Sequence, residues 1–147
     1  MRPVAIGERA VLEVLVTPAM TVKFAELGEL HPAELHPVYA TYELARHFEE
    51  VGRKLLLPHL EDSEDGLGTE VRVRHLRSAL PGMRVTLTAT VQSVEDRRLT
   101  VAVEAVSELG EVVATGSTEQ YVSSSERIRA GFDELEKRWK RHQKEQA

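Results

Sequence analysis

Apolar residues along this chain keep two different beats. In "AVLEVLV", Ala10 to Val16, they crowd into a short run that predicts a strand, ended by Thr17 and Pro18. Met20 to Val38 shows no sustained period, and Pro32 and Pro37 rule out a long helix there. From about Tyr39, Leu44, Phe48, Val51 and Leu55 recur at helical spacing and draw one stripe on a helix that ends near Pro58. The polar stretch "EDSEDG" then reads as a loop. Four β segments follow, at 69–79, 83–94, 97–108 and 111–122, with alternations such as Val85, Leu87, Ala89, Val91. Pro81-Gly82, Glu95-Asp96 and Leu109-Gly110 punctuate them, and connections this short predict antiparallel neighbours. After "VSSSE" the period is helical again. Ile128, Phe132, Leu135 and Trp139 mark a last helix over about 125–144, with Ser124 or Ser125 as its cap and the basic "KRWKRH" near its negative end.

This order predicts an α+β fold. One striped helix cannot bury its face alone, but it can lie across a curved sheet of five antiparallel strands, which is the hot-dog architecture. No internal repeat or linker interrupts the pattern, so a single domain is expected over 1–147, closed by the C-terminal helix. A sheet edge or face left open on such a domain needs covering, and a homodimer or a dimer of dimers is expected.

Composition narrows the function classes. With 41% hydrophobic and 29% charged residues the chain resembles an ordinary soluble domain of one core. The net charge of −5 is spread without a basic stripe, so nucleic acid is not an expected partner. No apolar run reaches the length of a membrane span, and "MRPVAIGERA" lacks a signal-peptide core, so no membrane partner and a cytoplasmic location are expected. Zero cysteine excludes disulfides, thiolate metal sites and a cysteine nucleophile. His31, His36, His47 and His59 lack zinc-site spacing, and no H-E-x-x-H, G-x-S-x-G, P-loop or dinucleotide fingerprint occurs, so neither a metal nor another cofactor is expected. The absence of Asn and the excess of Arg over Lys suit a thermophile source.

A longer match carries more chemistry. The stretch from "PVYATYELARHFEEVGRKLLLPH" to "GEVVATGSTEQYV", with the opening "GERAVLEVLVTPAMTV", resembles the fluoroacetyl-CoA thioesterase group of hot-dog thioesterases. Its most specific piece is "GLGTEVRVRH" followed by "PGMRVT", set at a fixed distance after Ala40-Thr41. The resemblance covers most of the chain and leaves out the last helix. It implies hydrolysis of an acyl-CoA thioester and a catalytic set of Thr41, Glu49 and His75. Two positions depart from the group. Its pair of gating phenylalanines is replaced by Ala33 and His36 within "PAELHPVY", and its arginine near the end of the last strand by Gln120. Fluoroacetyl specificity is therefore not expected, and the expected substrate is a small or medium acyl-CoA.

The residues themselves allow bland readings beside these roles. His75 shares a strand face with Val71 and Val73, where a half-buried, backbone-bonded histidine is common. A neutral imidazole there also suits a base near neutral pH. Glu49 lies on the same helix flank as Thr41, Ala45 and Gly52, whereas Glu50 points away. The carboxylate can serve as base or nucleophile, or stand merely solvated. Thr41 is either a helix cap or a hydroxyl for substrate, water or direct attack. Gly66 and Gly68 read as a turn, with an N–H near Gly68 as a candidate oxyanion donor. Arg77 shares the face of His75 and is the first candidate for the coenzyme A phosphates, against an exposed ion pair. Two rivals to the thioesterase remain: a non-catalytic acyl-CoA-binding hot-dog protein, and a hot-dog enoyl-CoA hydratase, whose aspartate-histidine pair is not found here.

Overall fold

A computed structural model of the chain describes residues 1–30 and 36–147. Five strands form one sheet: β1 (Arg9–Leu15), β2 (Glu64–His75), β3 (Arg84–Glu95), β4 (Arg98–Ser107) and β5 (Val112–Ser124). Their order is β1-β3-β4-β5-β2 and every pair is antiparallel. α1 (Thr41–Leu56) lies across the sheet, and α2 (Ser125–Gln146) leaves its far end. This is the hot-dog arrangement the periodicity predicts.

The predicted helix stripe is the core. Leu44, Phe48, Val51 and Leu55 are buried against strand residues such as Leu87, Leu99, Val101 and Val122. Each such side chain contributes about 1.5–3 kcal/mol on leaving water. Helix and sheet approach closely because α1 carries a glycine where they meet: a Cβ on Gly52 would stand 2.6 Å from Thr118 Oγ1. Glycine in mid-helix costs about 0.5–1 kcal/mol relative to alanine, and here it admits the polar face of β5.

Three features differ from the sequence reading. β2 starts at Glu64 inside the expected polar loop, because Glu64 and Asp65 pair with Ser124 and Ser123 at the end of a longer β5. Backbone bonds recruit that stretch whatever its side chains. β2 also stops at His75, and it pairs with β5 rather than forming a hairpin with β3. Residues 76–83 instead cross the end of the sheet: Leu76 N donates to Val113 O, Tyr39 N to Ala79 O and Gly82 N to Val16 O. The crossing chain thereby fastens the start of α1 beside the end of β2. Finally, Ser124 Oγ caps α2 by accepting from Arg127 N at 3.1 Å, but Phe132, Leu135 and Trp139 of its stripe are exposed in the protomer. Among the described residues no helix is long and apolar enough to cross a membrane.

Candidate active site

Thr41 is the first residue of α1, and Ala40 takes the cap position without a side-chain bond. The capping role open to Thr41 is therefore set aside. Its hydroxyl goes elsewhere: Thr41 Oγ1 lies 2.9 Å from His75 Nδ1, joining the start of α1 to the end of β2 across 34 residues. His75 is partly buried, and its Nε2 is buried with no hydrogen-bond partner. Burial lowers the imidazole pKa, a backbone contact with Arg77 opposing it, so the ring is neutral at pH 7. A neutral ring whose Nδ1 faces a hydroxyl is a base placed on a nucleophile or on a water's anchor.

The pair opens into a cleft of about 280 Å³ shared with His36, Leu76, Arg77 and Ser78. Arg77 stands at its mouth, about half exposed. Nη1 donates to Val112 O at 3.2 Å, and the ion pair with Glu111 is long, at 4.0 Å. His36 lines this cleft, as its position in "PAELHPVY" suggested; Ala33 and His31 lie outside the described residues.

Glu49 is not with them. Eight residues along one helix separate it from Thr41 by about 12 Å. It sits instead against Gly68, where a Cβ would stand 3.3 Å from Glu49 Oε1. Gly66 and Gly68 do not form the expected turn but lie within β2, and a bulge between Gly68 and Glu70 shifts the ladder there. The bulge follows the glycine whose backbone the carboxylate approaches. Glu50, by contrast, is exposed and holds Arg46 at 2.9 Å. One protomer thus carries two separate groupings along β2: Thr41 with His75 at its C-terminal end, and Glu49 with Gly68 nearer its middle.

Two buried pairs have placements that the sequence reading did not give, although it named His47 and Gln120. The Tyr39 hydroxyl and His47 Nδ1 form a short hydrogen bond in the core just behind Thr41. Burial, first among the causes, pushes the Tyr39 hydroxyl far above its ordinary pKa and lowers that of His47. The pair ties the segment entering α1 to the helix's second turn. Thr118 and Gln120 are buried on the helix-facing side of β5 beside Glu49 and Gly68. Alternation puts them on the same face as Val122 and Ala114, as it puts His75 with Val73, but does not say which face α1 covers. Among the described residues no three His, Asp or Glu side chains converge on a point where a metal ion fits.

Known proteins share this fold. The family model of fluoroacetyl-CoA-specific thioesterases matches residues 16–126. The fluoroacetyl-CoA thioesterase of Streptantibioticus cattleyicolor is 34% identical over 125 residues, 85% of this chain and 89% of that protein. A Thermus thermophilus hypothetical protein of the thioesterase superfamily superposes with a TM-score of 0.89 at 47% identity, covering 95% of this chain and 98% of that one. A variant of the fluoroacetyl-CoA thioesterase solved with acetyl-CoA superposes with a TM-score of 0.78 at 31% identity, covering 90% and 98%. A match over residues 16–126 and 34% identity across most of both chains show that the chain belongs to the fluoroacetyl-CoA-specific thioesterase family, a family of thioester hydrolases.

Proposed function

We propose that the protein is a cytoplasmic acyl-CoA thioesterase acting as a homodimer, with each of its two active sites assembled from both protomers. The observation that carries the reading is the Thr41–His75 pair, a hydroxyl 2.9 Å from a neutral imidazole in an open cleft. The dimer follows from β2, which lies at the sheet's edge with one ladder unpaired among the described residues. Val71 and Leu67 on this strand are 36% and 38% exposed, an apolar edge of the kind proteins cover. Two copies joined antiparallel through β2, about an axis between Val71 and Arg72, set His75 opposite the partner's Gly68. The partner's Glu49 comes with it. The separated half-sites then become two whole ones.

In that site the thioester carbonyl lies at the N-terminus of α1, where the N–H groups ahead of Glu43, which itself donates to Ala40 O, have no intrahelical acceptor. With the partner's Gly68 N–H they hold the oxyanion. His75 receives the proton of the attacking oxygen, which is Thr41 Oγ or a water that the hydroxyl holds. The C–S bond breaks, and coenzyme A leaves as the thiolate and takes up the proton. Where water attacked, the acid is then free; where Thr41 Oγ attacked, the partner's Glu49 activates the water that hydrolyses the acyl-threonine ester. Arg77 at the cleft mouth meets a coenzyme A phosphate.

The test is thiol release from a panel of acyl-CoAs by the wild type and by His75→Ala. Release by the wild type, reduced on the order of a hundredfold or more in the variant, is expected. Equal rates would remove His75 from the mechanism. Binding without release would favour the non-catalytic module, and water addition to a 2-enoyl-CoA without release the hydratase.

A further inference from the structure

α2 is 22 residues long, and every residue beyond Ile128 is exposed in the protomer. Its contacts with the rest of the protomer centre on β5 and β2, the two strands beside its start. Phe132, Leu135 and Trp139 are 57%, 54% and 57% exposed, and they continue the stripe that the partly buried Ile128 begins. A helix in a folded protein draws most of its stability from packing such a stripe, so this one calls for an occupant.

The spacing says which. Ile128, Phe132, Leu135 and Trp139 advance by 4, 3 and 4 residues and so alternate between the d and a positions of a heptad, the seam along which two helices interlock. Two copies of α2 laid antiparallel set each aromatic against an aliphatic: Phe132 meets the partner's Leu135, and Ile128 the partner's Trp139. Parallel copies would set Phe132 on Phe132 and Trp139 on Trp139 and crowd both layers. Charge agrees. In the antiparallel register the flanking e positions bring Arg129 to the partner's Glu136, twice by symmetry, whereas in the parallel one Arg138 faces Gln143 and Glu136 faces Gly131. Among the described residues Arg129 has no ion pair, and Glu136 pairs with Lys140 at 3.0 Å on the exposed surface of its own helix. An anionic lipid surface fits less well, because Glu126, Asp133, Glu134, Glu136 and Glu145 stand among the basic residues and would be repelled.

We propose that α2 is an interface between copies of this chain, packed antiparallel on the α2 of a second copy, and that it joins two β2-paired dimers into a tetramer. What it joins rests on the dimer of the thioesterase reading; the helix pair itself does not. The two α2 helices of one β2-paired dimer cannot serve each other. Ser124 pairs with Glu64, about 25 Å along β2 from the axis between Val71 and Arg72, so their starts stand about 50 Å apart. The antiparallel register is centred between residues 133 and 134, about 13 Å from the start of α2, and needs the two starts about 26 Å apart. Each dimer therefore offers both helices to a neighbour, and the two kinds of two-fold axis close on four chains.

The experiment measures the mass of the full chain by sedimentation equilibrium, beside its thiol release. The forms compared are the wild type, Leu135→Glu, Glu136→Arg, and Arg129→Glu combined with Glu136→Arg. Expected is a wild type of four chains that falls to two in Leu135→Glu. Glu136→Arg, which sets arginine against arginine, should weaken the association of dimers about tenfold, and the double exchange should restore it with the signs reversed. Thiol release is expected to stay at the wild-type level throughout. A wild type of two chains that Leu135→Glu leaves at two overturns the helix pairing and leaves the thioesterase dimer standing. So does a tetramer that Leu135→Glu leaves intact. Two chains falling to one would keep the helix pair and overturn the β2 dimer instead. A double exchange that restores nothing overturns the antiparallel register. Two chains that bind phosphatidylglycerol vesicles, with binding lost in Leu135→Glu, would give the stripe to a lipid surface and also overturn the pairing. Thiol release absent from every form counts against the thioesterase reading alone, and the masses still decide this one.

Discussion

His75 is held by one hydrogen bond on Nδ1 and by burial on Nε2, and the two set its behaviour with pH. Burial lowers its pKa below the ordinary 6.5, so the imidazole stays the unprotonated base at neutral pH. The acid limb of log kcat/KM against pH is expected with its midpoint below 6.5; a midpoint above 7 would contradict the burial. The same shift has a consequence for stability. As pH falls below 6.5 the unfolded chain binds a proton at this position before the folded one does. The contribution is therefore complete above that value and is lost as pH falls through the lowered folded pKa. His47, lowered by burial as well, acts in the same direction. Urea midpoints measured at pH 7.5 and 5 should decline toward the lower value.

At the scale of elements, β2 is the piece on which both half-sites depend, and its pairing with β5 hangs on a glycine. A Cβ on Gly116 would overlap the carbonyl of Arg72 and stand 3.0 Å from Phe48 Cε2. Gly116→Ala is expected to destabilise the fold by roughly 1–3 kcal/mol, the range overpacking imposes, and to separate Thr41 from His75. Thermal melting and thiol release together check this; a melt unchanged from wild type would refute it. How far these elements could be read beforehand depends on what defines each one. The α1 stripe was legible because Leu44, Phe48, Val51 and Leu55 repeat at a period no strand shares. The extent of β2 was not, because Glu64 to Gly66 join the ladder through backbone groups that side-chain patterning does not encode. Thr41 and His75 could be matched through spacing in a familiar pattern. That Glu49 stands apart from them required the helix rise in three dimensions, and Thr118 and Gln120 required knowing which strand face α1 covers.

For the molecule as a whole, the two half-sites make a quantitative demand on assembly. If each active site takes Thr41 and His75 from one protomer and Glu49 from the other, a chain carrying His75→Ala and a chain carrying Glu49→Gln are each inactive alone. In the mixed dimer one site inherits both lesions and the other inherits neither. Equal mixing, after unfolding and refolding together, gives mixed dimers as half of the population with one intact site in each. About a quarter of wild-type activity should return. If all three residues served one protomer, no mixture would recover anything. Placing both substitutions in one chain and mixing it with wild type supplies the control: the mixed dimer then has one lesion in each site, and its activity should fall toward zero. Under an intra-protomer site that same dimer would keep one intact site. The two arrangements thus give opposite answers in both mixtures, and the separation of Glu49, beside Gly68, from His75 at the end of β2 is what sets the expectation of recovery in the first.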